Sequence, residues 1–392
     1  MLKFEFASTA KMSRWVHLVV FAGRLLHSPL SLLKLACVNQ WGIISYHCGY
    51  LFQMRILLYV NQDGGQAESD EWLRQLKTNL PEADIQIWVD ASSPVECDYA
   101  VVWKAPSELL LPLSEQCGIK AIFNLGAGVD ALLVQGGSNI VARVPIVRID
   151  DAGMAEQMSD YVAASILRYY RNFHVYAAQQ QSSSWKPQLP VEKTAFPIGL
   201  LGYGTLSRCL RAQPLLSTCA LVIDVHFLHF RHVASTLRSL GFTVSCWKRT
   251  HTGEPLVFTG ADGLKDMLQH VRVLVCMLPL TPATTGIINK ESMLLLPRGS
   301  FIINVGRGLH VVEDDLLQLL QSGHIAAACL DVTSTEPLPQ NHQLWHTPNV
   351  TITPHIAAAT IVPLASLQVA EKIRALSQGQ GISGVVDAAH GY

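Results

Sequence analysis

The chain has little charge, no close cysteine pair and no long uninterrupted apolar run, and each lack removes a class of function. Charged residues make up 15% of its 392 residues and the formal net charge is −1. It therefore offers no basic field for nucleic acid or for an anionic membrane surface. The nine cysteines include no CxxC pair, and Cys209 and Cys219 lack zinc-site spacing, so no metal is expected. An odd, scattered set of thiols reads as reduced, buried cysteines in a cytosolic-type compartment. Arg24 and Lys34 interrupt the apolar runs near the N-terminus. The uncharged stretch from Leu35 to Met54 contains Asn39, Gln40, Ser45, His47 and Gln53, so neither region makes a membrane span of about twenty apolar residues. Acidic residues are nearly missing from residues 1–53, where Lys3, Lys11, Arg14, Arg24 and Lys34 face Glu5 alone. That composition suits a mitochondrial presequence. The preferred reading places 1–53 outside the functional fold of a cytoplasmic protein, with translation starting at Met54, where the strand-like run MRILLYVNQ begins.

Apolar sequence is abundant. Hydrophobic residues are 49% of the chain, enough for two ordinary domains with large cores. From Met54 to about Asp150, the runs RILLYV, IQIWV, YAVVW, AIFNL and PIVRI alternate with helical text such as SDEWLRQLKTNL. That is the rhythm of a parallel sheet. A long helix is expected from Met154 to about Gln181. A second alternation follows through PIGLL, TVSCW, VLVCML, SFIINV, AAACLDV and VTIT, the pattern of a doubly wound dinucleotide fold. A last helix is expected from about Ile361 to Gln378.

Three residues near the end of this second alternation carry the chemistry. Arg307 lies in NVGRG, Glu336 in DVTSTEPLP and His355 in TPHIAA, each just after an apolar strand-like run. Taken singly, an Arg is usually a solvated residue, Glu-Pro a turn, and a His after Pro a cap. Together they answer the needs of 2-keto acid reduction. Hydride arriving at a ketone leaves charge on its oxygen, which a protonated imidazole can neutralise. A neighbouring carboxylate keeps that imidazole charged, and a guanidinium fork suits the substrate's own carboxylate. Strand ends are where α/β sheets bind ligands.

With these motifs in order, the chain resembles the D-2-hydroxyacid dehydrogenases, and most closely the NADPH-preferring glyoxylate and hydroxypyruvate reductases among them. The resemblance runs from about Met54 to Tyr392 through DYAVVWKAP, FNLGAGVD, DDAGMAEQMSDYV, IGLLGYGT, CWKRT, CMLPLTPATTGIIN, INVGRGLHVVEDDLL, LDVTSTEPLP and TITPHIAA. It implies an α/β fold of two doubly wound parallel-sheet domains. Residues 54–152 would form the smaller, flavodoxin-like substrate domain and 153–357 a Rossmann-type NADP-binding domain, with 358–392 returning to the first. It also implies a small-molecule 2-keto acid substrate and a homodimer. The loop Leu125 to Val129 resembles the family's carboxylate-binding loop, which assigns Gly126, Ala127, Gly128 and Val129 to the substrate. Trp103 becomes a pocket wall. Similarity brings Met154 to Met158 near the nicotinamide and Leu278, Pro279 and Thr285 near the cofactor ribose and pyrophosphate. Val305, Gly306 and Asp331 are assigned to the cofactor as well.

The glycine motif after PIGLL places Gly202, Gly204 and Ser207 in a G-x-G-x-x-S spacing, with Thr205 and Leu206 at the expected start of a helix. Gly202 allows the tight turn and Gly204 a close approach to the pyrophosphate, which meets the helix N-terminus. The helix should then continue, but CLRAQPLLSTCALVIDVHFLHFR, Cys209 to Arg231, intervenes before HVASTLRSLGF. Removing it restores the family's spacing, so an in-frame unspliced intron is the economical reading and a surface loop the alternative. The strand beyond it ends CWKRT. An acidic residue there would hold the ribose 2′-OH of NAD; Lys248 and Arg249, with Thr250, favour NADP(H) instead. Two rivals remain: a corepressor of the same fold that senses dinucleotide, and a chain inactivated by the 209–231 segment.

Overall fold

In the computed structural model, the described residues are 17–21, 34–39, 42–46, 54–61, 66–116, 118–137, 140–202, 226–249 and 256–387. The chain divides into two units, Met1–Arg55 with Glu82–Asp84, and Ile56–Pro81 with Ile85–Tyr392. In the first, β1 (His17–Phe21), β2 (Lys34–Asn39) and β3 (Gly42–Tyr46) pair antiparallel in that order.

The next five strands are β4 (Met54–Val60), β5 (Ala83–Ile87), β6 (Tyr99–Trp103), β7 (Ala121–Asn124) and β8 (Ile146–Arg148). They form one sheet in the order β5-β4-β6-β7-β8, the flavodoxin-like arrangement. All of β7 and β8, and β6 up to Val102, are buried, as strands covered by helices on both faces must be. That explains why they read as continuous apolar runs and not as alternating ones.

The second sheet comprises β9 (Ile198–Leu201), β10 (Val244–Lys248), β11 (Val257–Thr259), β12 (Val273–Cys276), β13 (Ser300–Asn304), β14 (Ile325–Leu330) and β15 (Val350–Ile352). Its order is β11-β10-β9-β12-β13-β14-β15, parallel throughout. The order reverses between β9 and β12, which opens a crevice at their carboxyl ends where dinucleotides bind. The chain is therefore an α/β protein with two doubly wound parallel sheets, as the alternation of runs indicates.

Two helices depart from the sequence expectation. The single helix expected over Met154 to Gln181 is two, Met154–Tyr170 and Phe173–Gln181. Asn172 takes φ 57° at the break, a left-handed conformation that ends a helix and that asparagine tolerates. The helix expected to resume at His232 begins at His226. At the other end of the chain, the helix Val362–Ser377 leads to a tail whose Val385 bridges Val147 of β8. Lys372 on that helix pairs with Asp150 at 2.8 Å, both buried. Burial pulls the lysine below its ordinary pKa and the ion pair opposes this. Among the described residues no helix is long and apolar enough to cross a membrane.

Candidate active site

Most of the sequence-assigned residues that are described lie at or beyond the carboxyl end of a parallel strand, while Met154 to Met158 open the helix Met154–Tyr170. Trp103 closes β6, and the loop Leu125 to Val129 follows β7. Buried Asn124 shapes that loop by donating from Nδ2 to the carbonyls of Gly126 (3.0 Å) and Gly128 (2.9 Å). In a trans peptide the following N–H points opposite to the carbonyl, so the N–H groups of Ala127 and Val129 turn away from Asn124. Both glycines leave room for a neighbouring side chain. A Cβ on Gly126 would stand 2.3 Å from Trp103, and one on Gly128 would stand 1.6 Å from Arg307 Nη2. The wall, the loop and the guanidinium thus meet.

Arg307 follows β13. Its Nε donates to both carboxylate oxygens of Asp130, at 3.0 and 3.1 Å, and its Nη2 lies 3.0 Å from Oδ1. Nη1 donates to the Gly306 carbonyl at 2.8 Å. A guanidinium carries five N–H donors, so donors on Nη1 and Nη2 remain for a further anion. The backbone of this turn is fixed by His310, whose Nδ1 accepts from Arg307 N at 3.0 Å while Nε2 lies 3.3 Å from the Pro279 carbonyl. Burial holds the His310 pKa below the ordinary histidine value, which keeps the ring neutral with its proton on Nε2. Acidification must then weaken the fold: below the ordinary histidine pKa the unfolded chain takes up the proton first.

His355 follows β15 and Glu336 lies in the loop after β14. His355 Nδ1 lies 2.9 Å from Glu336 Oε2, and both side chains are partly exposed. Burial tends to raise the Glu336 pKa, but the hydrogen bond from His355, its charge, the Thr333 N–H and Arg307 outweigh it and hold the carboxyl below its ordinary value. An ionised carboxylate only accepts, so Nδ1 carries hydrogen and Nε2 is the outward edge. His355 itself sits at φ 56°, a left-handed conformation that surrounding contacts must hold. Asp331, 2% exposed, supplies them. Its carbonyl accepts from His355 N (2.8 Å) and its carboxylate from Thr353 Oγ1 (2.6 Å), Ile356 N and Ala357 N (both 2.8 Å). Those contacts direct the Asp331 carboxylate to the His355 loop.

On the nucleotide side, Gly202 has φ 127° and its N–H donates to the Trp247 carbonyl at 3.1 Å. The turn after β9 is thereby tied to the end of β10, where Lys248 is buried and Arg249 exposed. Leu278 is buried, Pro279 exposed, and Thr285 exposed with its hydroxyl on the Thr281 carbonyl. Gly306, beside buried Val305, admits no Cβ without pressing on His310 and the Leu278 carbonyl. A glycine turn at the switch point, cations at the end of β10 and no acid there suit NADP(H). Gly204, Thr205, Leu206, Ser207 and Thr250 lie outside the described residues, as does the greater part of the Cys209–Arg231 segment.

Comparison with known proteins agrees with this arrangement. The sequence profile "D-isomer specific 2-hydroxyacid dehydrogenase, NAD binding domain" matches residues 231–357. A glyoxylate/hydroxypyruvate reductase A of Serratia proteamaculans is 41% identical over 329 residues, covering 83% of this chain and 96% of that protein. The chain belongs to the D-isomer-specific 2-hydroxyacid dehydrogenase family. Among solved structures, a dehydrogenase of this family from Xanthobacter autotrophicus Py2, in complex with NADPH and MES, aligns with a TM-score of 0.71 at 33% identity, covering 86% of this chain and 99% of that one. An NADPH-dependent glyoxylate/hydroxypyruvate reductase from Sinorhizobium meliloti, in complex with NADP and sulfate, aligns with a TM-score of 0.73 at 29% identity, covering 86% and 100%. For this 2-hydroxyacid dehydrogenase, the domain match starts at Arg231, the last residue of the segment that breaks the family's spacing.

Asn124, Asp130, His310 and Glu313 were not singled out by sequence. Each lies within or beside a family motif, but the motif text shows no partner for them.

Proposed function

We propose that the chain reduces a small 2-keto acid of the glyoxylate or hydroxypyruvate kind to the D-2-hydroxy acid with NADPH. The observation that carries this reading is the His355–Glu336 pair, 2.9 Å apart, at the carboxyl end of the same sheet as Arg307, whose guanidinium lies against Gly128 of the glycine loop. Bound NADPH would be held by the turn at Gly202, the Lys248–Arg249 end of β10, and Leu278, Pro279, Val305 and Gly306, and it supplies the hydride. Arg307 and the N–H groups of the glycine loop orient the substrate carboxylate. His355 gives the proton on Nε2 to the developing alkoxide, and Glu336 stabilises the charged ring and fixes its orientation. Asp331 positions His355 and does not touch the reacting atoms.

Residues 54–152 with 358–392 form the substrate lobe in this reading, and 153–357 the nucleotide lobe. The protein acts in the cytosol, consistent with its buried thiols at Cys97, Cys246, Cys276 and Cys329. It acts as a homodimer: the helix Phe173–Gln181 buries no residue, and the segment after it exposes Trp185 (97%) and Leu189 (87%), an apolar surface suited to a second copy.

The test is NADPH consumption with a panel of short 2-keto acids, using protein that starts at Met54 and lacks Cys209–Arg231. A folded protein that consumes no NADPH with any of them rules the enzyme out. Replacing Lys248 and Arg249 with neutral residues is expected to weaken NADPH by roughly 10–100-fold, the worth of a charge-assisted hydrogen bond, and NADH far less. Equal losses for both nucleotides, measured by titration, would remove the pair from 2′-phosphate recognition.

A further inference from the structure

Glu313 opens the helix Glu313–Gln321, the first α-helix after Arg307. An acid in a first helical turn ordinarily serves the helix dipole, and Asp314 and Asp315 stand in the same turn. Glu313 differs in where its carboxylate goes. Oε1 accepts from Ser334 N at 2.7 Å and Oε2 from Ser334 Oγ at 2.8 Å. Nε2 of His342 lies 3.5 Å from the same Oε2, and the Glu313 side chain is 10% exposed. Both oxygens are therefore committed to the loop that bears Glu336, two residues beyond Ser334.

A second contact joins the same two segments. A Cβ on Gly308 would lie 1.9 Å from the Thr333 carbonyl group and 2.4 Å from Ser334 N. The Glu336 loop thus rests directly on the backbone next to Arg307, and Glu313 clamps it there. Thr333 N in turn donates to Glu336 Oε1 at 3.3 Å. Asp331 fixes the His355 loop from the β14 side, and the Ser334 clamp holds the other partner's loop, the one that carries Glu336.

We propose that Glu313 is a positioning residue that, through Ser334, sets the Glu336 carboxylate against His355. This rests on the catalytic reading above for its kinetic consequence, and on geometry alone for its structural one. Outer partners that orient metal ligands are worth about 10–100-fold in affinity or activity, and an effect at the low end of that range is expected for a carboxylate oriented through one serine. Glu313→Gln keeps the size but replaces one accepting oxygen with a donor that faces Ser334.

The experiment is a double-mutant cycle of Glu313→Gln and Glu336→Gln in the full chain, read two ways. In NMR spectra, with the His355 ring signals assigned by their loss in His355→Ala, Glu313→Gln is expected to move those signals, and to move them no further once Glu336 is Gln. In turnover of glyoxylate with NADPH, Glu313→Gln is expected to cost about tenfold in kcat with NADPH affinity unchanged, and under about twofold in the Glu336→Gln background. Unmoved ring signals, or an equal effect in both backgrounds, overturn the proposal. Moved signals in a protein without turnover sustain the positioning role, and turnover that is absent also from the form lacking Cys209–Arg231 defeats the catalytic reading instead. If Glu313→Gln does not fold, Ser334→Ala at the exposed end of the clamp replaces it in the cycle, with the same outcomes deciding, and Ser334→Thr keeps the hydroxyl and the parent behaviour.

Discussion

Replacing His355 with alanine is expected to lower kcat by about 10²–10⁴-fold, the usual worth of a general acid, while NADPH binds nearly as before. The side chain has no part in the glycine turn or the β10 terminus; its ring is held by Glu336 alone among the described contacts. The backbone survives the change, because Asp331 grips His355 N, Ile356 N and Ala357 N and not the imidazole. A loss confined to KM, or parallel losses in kcat and nucleotide affinity, would show that the ring serves binding and would remove it as the proton donor. Glu336→Gln separates position from charge. The amide still reaches Nδ1, but the anion that favours imidazolium is gone, so the alkaline limb of the rate profile is expected to move to lower pH. An unmoved limb would take Glu336 out of its role.

Much of this site was legible because parallel α/β sheets place functional loops at strand ends, and their buried strands read as unbroken apolar runs. Arg307, Glu336 and His355 each follow such a run, so their order along the chain fixed their nearness in space. The partners that hold them were not legible. Asp130 is 177 positions from Arg307, and Asp331 looks like a strand-end acid until the His355 loop folds back on it. Glu313 reads as a helix-dipole acid because its contact to Ser334 spans a strand. Asn172 was misread for another reason: the apolar spacing continues through it, and only its left-handed backbone divides the helix. The strands β1, β2 and β3 were missed because basic, acid-poor text was weighed for targeting and not for pairing.

Deleting Cys209 to Arg231 is expected to tighten NADPH binding by roughly tenfold or more, about 1.4 kcal/mol for each factor of ten, and to raise the melting temperature. The dinucleotide site works by leading a glycine turn straight into a helix, whose first N–H groups meet the pyrophosphate. Here the turn at Gly202 is in place, with β9 in parallel register to β10 and β12. The helix next described in the chain starts only at His226. Between them the sequence carries Pro214, which lacks the N–H a helix interior needs, and the apolar text ALVIDV, Ala220 to Val225, which suits no solvated loop; the rest of that run, HFLHF, opens the helix His226–Ser239. The family match begins at Arg231, and joining Arg208 to His232 recreates an uninterrupted GYGTLSRHVASTLRSLGF from turn to second strand. In that joined form the N–H groups after Gly204 open the helix at the phosphate. Titration of both forms with NADPH, together with their melting curves, checks this. If the full-length protein binds as tightly and melts at least as high, the segment belongs to the working fold and the unspliced-intron explanation fails.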